Sequence, residues 1–144
     1  MRLQLLALFA GLAGVGVSAY LTMVHYAGIP LACPTNAAIN CEQVLSSSYA
    51  VVGGSAVPTA AAGIVWFGVS AGLAVAVLLN HAAPSWARLQ LGWSAIGLAV
   101  VLYLVYVEIV RLGVVCAWCS VAHALVLLIF LVALPRPQEA RVGS

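Results

Sequence analysis

The sequence is short of charge. Its 144 residues include no Lys and no Asp, only five Arg and three Glu, where a soluble domain of that length carries about 36 charged residues. So few charges cannot keep the surface of a small folded domain in water. Disorder is excluded too, because 65% of the residues are hydrophobic and chains that stay unfolded lack that apolar content. A net charge of +2 is too slight to attract nucleic acid. Period-two alternation of polar and apolar residues is also missing, which argues against a β-barrel. What remains is an all-α integral membrane protein.

Crossing a hydrocarbon core of roughly 30 Å takes about 20 apolar residues of helix. Four stretches supply them: residues 3–26, 58–79, 89–110 and 114–134. Pro58 suits a first helical turn, and Pro135-Arg136-Pro137 stops the fourth stretch. Glycines recur inside the stretches, Gly11, Gly14, Gly63 and Gly97 among them, as expected where helices pack closely in lipid. The first stretch follows Arg2, yet it is far longer than the roughly 7–15-residue core of a cleaved signal peptide. It reads as a retained signal-anchor, with His25 its only side chain that titrates near neutral pH. The expectation is one membrane domain over residues 1–144, a four-helix bundle with an outer loop over 27–57.

Arginines set the orientation. With four spans, Arg2, Arg88, Arg136 and Arg141 fall on one side and only Arg111 on the other. Cytoplasmic loops carry the excess of positive residues, so both termini are expected in the cytoplasm. All four cysteines then face outward: Cys33 and Cys41 in the long loop, Cys116 and Cys119 at the outer start of the fourth span. That is the oxidising side of the membrane.

Cys116-Ala117-Trp118-Cys119 is a C-x-x-C opening a helix. Residues three apart share a helix face, and a helix N-terminus stabilises thiolate, so this is the arrangement a reactive dithiol needs. Cys33 and Cys41 flank a loop containing Pro34 and Asn36, flexible enough to bring both sulfurs together. Several uses of four cysteines compete. Two structural disulfides would staple the outer face. A zinc site would combine the pairs, with His123 four residues after Cys119, but the loop spacing is long for it and the compartment favours oxidation. Covalent haem is disfavoured, since Ser120 stands where C-x-x-C-H needs histidine. A redox relay would pass electrons between the pairs by thiolate attack on disulfide, with a lipid-soluble quinone as the natural partner of a membrane-embedded pair.

The residues resemble the vitamin K epoxide reductase family, specifically its stand-alone prokaryotic members, over about residues 10–134. The resemblance is carried by the loop pair in Cys33-Pro-Thr-Asn-Ala-Ala-Ile-Asn-Cys41, by Cys41-Glu-Gln-Val-Leu-Ser-Ser-Ser-Tyr49, and by Cys116-Ala-Trp-Cys119 at the head of the last span. It implies a four-helix bundle enclosing a quinone near its outer face, under a loop that carries a short interfacial helix. Val44, Leu45 and Tyr49 would give that helix its apolar face. The resemblance also implies that Cys119 contacts the quinone, Cys116 resolves it, Cys41 exchanges with Cys116, and Cys33 meets an external dithiol protein. Ser47 matches the functional serine, its alternative being a polar residue of the interfacial helix.

Three positions depart from the family pattern. His123 stands where many relatives that handle vitamin K carry Tyr; it would hydrogen-bond a quinone oxygen, move protons, or rest satisfied within the bundle. Thr59 lies near the place where animal members direct an Asn toward the quinone. The Gly54-Ser-Ala-Val-Pro58 stretch is longer than the usual Gly-x-Pro. Trp66 and Phe67, with Tyr103 and Tyr106, are aromatic candidates to flank a quinone ring, interfacial anchoring being the alternative. Trp118 sits between the two cysteines, facing either the quinone or lipid. Glu108 is a costly residue in a membrane and so a functional candidate, unless it pairs with Arg111.

The reading is therefore a quinone-dependent thiol oxidoreductase of the cell inner membrane, with no metal. Electrons would pass from a separate thioredoxin-fold dithiol protein to a ubiquinone or menaquinone type of acceptor, supporting disulfide-bond formation. A vitamin K epoxide or quinone reductase proper and a structural protein with two stapling disulfides are the alternatives.

Overall fold

The computed structural model describes residues 1–80 and 83–135. Four long helices run through it: α1 (Arg2–Ala27), α3 (Thr59–Leu79), α4 (Pro84–Tyr106) and α5 (Ala117–Ala133), with a short α2 (Cys41–Leu45) in the loop after α1. A π-helical segment, Val107–Leu112, continues α4. Among the described residues there is no strand, only the isolated bridges Ile39–Val115 and Val51–Pro58. The result is the expected all-α membrane bundle. Arg136 and Arg141, two of the arginines behind the expected orientation, lie outside the described residues.

Three helices, α1, α3 and α4 with its extension, are long and apolar enough to cross a membrane, while α5 has 17 residues. At about 1.5 Å per residue, α5 spans about 26 Å. Two boundaries differ from the sequence reading. The third span begins at Pro84 rather than at residue 89, because Pro84 occupies the first helical turn and Arg88 ends an apolar run without ending a helix. The fourth begins at Ala117 rather than at residue 114. Val115 is taken up by pairing with the loop: its N–H donates to Ala38 O at 2.9 Å, and its carbonyl accepts from Asn40 N at 3.1 Å.

Helices α1 and α3 pack antiparallel in steps of three and four residues. Ala7 meets Ala74, Gly11 lies against Ala71, Gly14 against the Phe67 ring, and Ser18 against Gly63. A Cβ on Gly11 would stand 3.1 Å from the Ala71 backbone nitrogen, and one on Gly14 would enter the Phe67 ring. These are close approaches of the kind that small residues permit in lipid, where helix association depends on fit. Helix α4 joins α3 through tryptophans: Trp66 covers Gly97 and stacks on Trp93 with ring centroids 6.3 Å apart, while Trp93 Nε1 donates to Trp66 O and Ser70 Oγ.

Candidate functional site: a cavity at the cysteine end

The loop docks on the head of α5 through a few local devices. Asn36 Oδ1 accepts the N–H groups of Ala38 and Ile39, each at 2.9 Å, which closes a turn inside the loop. Asn40 caps α2 by accepting the Gln43 N–H, the ordinary use of Asn at a helix start. The Ile39–Val115 bridge then sets Cys41, first residue of α2, beside the segment that leads into Cys116. The loop, expected to be flexible enough to bring both sulfurs together, does so through defined turns.

Cysteines pair as Cys33–Cys41, with Cα atoms 6.3 Å apart, and Cys116–Cys119, with Cα atoms 5.1 Å apart. Their exposure differs. Cys33 is partly exposed, whereas Cys41 and Cys116 are 1% and 0% exposed. Cys41 Sγ accepts the Ala117 N–H at 3.3 Å, which brings the inner loop cysteine to the head of α5. Cys116 is the N-cap of α5, its Sγ accepting the Cys119 N–H at 3.2 Å.

Beneath the loop lies a cavity of about 540 Å³, within the roughly 300–1,000 Å³ of small-molecule sites. Cys119 is on its wall; Cys116 and both loop cysteines are not. Ser47, Thr59, Trp66, Glu108 and His123 line it as well, and so do Val44, Leu45 and Tyr49 from the loop. Five of the sequence-derived candidates are therefore brought together with Cys119. Ser47 Oγ donates to Val44 O at 2.7 Å, just past the end of α2, and Thr59 Oγ1 donates to Tyr49 O at 3.4 Å. The indole N–H of Trp66 is buried without a partner, and the cavity wall is mostly apolar.

Trp118 is placed elsewhere. Its ring lies 5.2 Å from that of Tyr20, and its Nε1 donates to Ala32 O at 2.8 Å, while Ala32 N donates to the Tyr20 hydroxyl. The two aromatics thereby hold the residue that precedes Cys33. Tyr103 and Tyr106 do not line the cavity but stand exposed on the outside of the bundle, as interfacial anchors would; Phe67 lines it together with Trp66.

Glu108 is 4% exposed, and its Oε2 accepts the Cys116 N–H at 3.2 Å, while Arg111 is exposed. The π-helical turn explains how residue 108 reaches residue 116. Widening the helix after Tyr106 carries the chain into Gly113, whose φ of 69° is a conformation that suits glycine, and back toward its own last turn. There Val114 N donates to Glu108 O. Such π segments concentrate at functional sites.

Among the lining residues that sequence did not single out as candidates, His25 is the one with a basic side chain. His25, at the end of α1, faces the cavity in line with Ser18 and Leu21. The signal was available, since 18, 21 and 25 follow helical spacing, but an apolar helix offers no polar face from which to infer what its few polar residues share.

A model of the vitamin K epoxide reductase family matches residues 5–134. The chain belongs to that family. It is accordingly a membrane oxidoreductase of a family that joins thiol chemistry to quinones in general. None of the curated proteins matches the chain.

Proposed function

We propose that the protein is a quinone-linked thiol oxidoreductase that takes electrons from a separate thioredoxin-fold dithiol protein on the extracytoplasmic side and supports disulfide formation there. The carrying observation is the order of the sulfurs. Cys119 lines the cavity, its bonded partner Cys116 is buried away from it, Cys41 reaches the head of α5 beside Cys116, and Cys33 is the more exposed sulfur of the loop pair. An electron path from solvent to cavity needs that sequence.

The steps balance by thiol exchange alone. A partner thiolate attacks Cys33, and Cys41 leaves with the electron pair; the partner's second thiol then releases Cys33. Cys41 attacks Cys116, expelling Cys119 as thiolate, and Cys33 re-forms the loop disulfide by displacing Cys116. The Cys116–Cys119 dithiol gives up two electrons and two protons as its disulfide returns. A quinone held in the cavity supplies the acceptor and leaves as hydroquinone. The chain's own groups suit that ligand: apolar walls from α3 and α4, with Phe67 and Trp66 for the ring. Ser47, Thr59 and His123 add hydroxyl and imidazole groups to the same wall, and Glu108 orients the head of α5 through the Cys116 amide. Arg2 and Arg88 favour cytoplasmic placement of the end opposite the cysteines, which supports both termini inside the cell and the loop outside.

The test uses purified protein in detergent with a reduced thioredoxin-fold substrate and a soluble ubiquinone or menaquinone analogue, followed by quinone absorbance. Turnover is expected in the unmodified protein and none in Cys119→Ala. Cys33→Ala should accumulate a Cys41–Cys116 disulfide, identified by mass spectrometry after alkylation. Absence of turnover with every partner and quinone would favour two stapling disulfides instead.

A further inference from the structure

We propose that the main-chain amide of Ala117 is a catalytic group, the donor that holds the Cys41 sulfur as thiolate while the loop disulfide opens. The proposal rests on the relay described above and assigns a role within it that no side chain fills.

The first amides of a helix have no partner inside it, so each must find one elsewhere when buried. At the head of α5 three of them do so around the cysteines. Cys116 N–H goes to the Glu108 carboxylate at 3.2 Å, Cys119 N–H to Cys116 Sγ at 3.2 Å, and Ala117 N–H to Cys41 Sγ at 3.3 Å. The last of these crosses from the head of α5 to a residue 76 positions earlier in the chain. The contact is held from both sides, by the Asn40–Val115 and Val115–Ala38 hydrogen bonds on one and by the Asn40 cap of α2 on the other.

A sulfur in that position cannot be solvated. Cys41 is 1% exposed, and a buried anion is strongly disfavoured unless donors replace water. An amide at a helix N-terminus provides both a hydrogen bond and the positive end of the dipole. Cys33 has the opposite surroundings: it is partly exposed, and its Sγ faces the Pro34 carbonyl oxygen at 3.5 Å, a neighbour that repels negative charge. The loop disulfide is therefore polarised. When an external thiolate attacks Cys33, a new sulfur–sulfur bond forms there, the Cys33–Cys41 bond breaks, and the electron pair departs on Cys41, where the Ala117 amide waits. A better-stabilised leaving thiolate departs faster. The same thiolate then lies beside Cys116, its next target, and needs no base to become reactive.

Replacing Ala117 by lactic acid, its α-hydroxy analogue, exchanges the N–H for an ester oxygen and keeps the methyl group. Proline would not serve, because its ring carbon would stand where the N–H now meets the buried Cys41 sulfur. The same ester exchange at Trp118 keeps the Ala117 N–H and reports the effect of an ester at the helix head alone. In the full-length protein in detergent, opening of Cys33–Cys41 by dithiothreitol is timed by acid quench, alkylation and peptide mass spectrometry. Opening with the ester at residue 117 should be slower than with the ester at residue 118 by about tenfold to a hundredfold, the effect of one hydrogen bond to a charged group. Equal rates overturn the proposal.

A second measurement needs no change at residue 117. Cys116-Ala117 is the sole Cys-Ala step in the sequence, so carbonyl-¹³C cysteine with ¹⁵N alanine isolates this one amide by NMR. In the reduced protein its proton should move downfield as Cys41 ionises, and the movement should vanish in Cys41→Ser. A resonance that does not move, or that moves equally in Cys41→Ser, overturns the assignment. The relay itself fails separately: full quinone turnover in Cys41→Ala would remove it, whatever the Ala117 amide does to loop opening.

Discussion

Away from the cysteines, α1 and α3 touch through Ala7, Gly11, Ala71 and Ala74; toward the cysteine end they stay in contact through Ser18 and Gly63, but there both helices also line a 540 Å³ cavity. The cavity wall begins along this contact at Phe67, whose ring packs over Gly14 and lines the cavity. Close backbone contact below supplies the fit on which a membrane bundle depends, which frees the upper half to remain hollow. The two ends should therefore answer added volume differently. Below the cavity, extra atoms cost stability; within it, they cost ligand binding.

The largest effect is expected at Gly11. A Cβ there meets the Ala71 nitrogen at 3.1 Å and the Ala71 Cα at 3.2 Å, and backbone atoms cannot swing aside as the end of a side chain can. Gly11→Leu should lower stability by about 3 kcal/mol, measured by thermal or denaturant unfolding in detergent. A change within about 0.5 kcal/mol would show that α1 and α3 slide freely and that the closed end is not fixed by fit.

How far this division could be read from sequence depends on the kind of residue. Span positions followed from apolar length, because lipid imposes that length directly. The cysteine order followed from spacing and resemblance. An enclosed site near the outer face followed from the resemblance, but which helix faces line it did not, since in a helix that is apolar all round the face toward a void looks like the face toward lipid. Trp66 and Tyr103 were equal candidates by composition; one lines the cavity and the other is exposed. Trp118 drew attention by standing between two cysteines, yet its indole reaches the Ala32 carbonyl, a partner 86 residues away that no local pattern marks. The π-helical turn that brings Glu108 to Cys116 left no signal either, because it is fixed by where the chain must go next.

Ala122 tests the open end. It lines the cavity one turn from Cys119 and packs beside the cluster of Ala10, Phe67, Val126 and Ile129. Ala122→Leu adds its volume to existing space, so stability should stay within about 0.5 kcal/mol of the unmodified protein. The KM for a soluble quinone should rise about tenfold, equivalent to about 1.4 kcal/mol, with little change in the rate of loop-disulfide opening. Loss of stability without loss of quinone binding would reverse the comparison and give the cavity a packing role.

The smallest effect is expected at a side-chain hydrogen bond between helices at the closed end. Gln90, almost fully buried on α4, donates from Nε2 to Gln4 Oε1 on α1 at 3.0 Å, and its own Oε1 has no partner. Interhelical hydrogen bonds in membranes average about 0.6 kcal/mol, and an unsatisfied buried acceptor subtracts a comparable amount or more. The two terms oppose each other. Gln90→Leu loses the bond and the orphaned acceptor together, so stability should change by less than about 1 kcal/mol. The pair Gln4→Leu with Gln90→Leu, which leaves no carbonyl stranded on either helix, should be at least as stable as the unmodified protein in the same unfolding assay. If Gln90→Leu instead costs more than about 2 kcal/mol, the hydrogen bond sets the register of α1 against α4. The closed end would then be specified by polarity, and the contrast with the open end would not be one of volume.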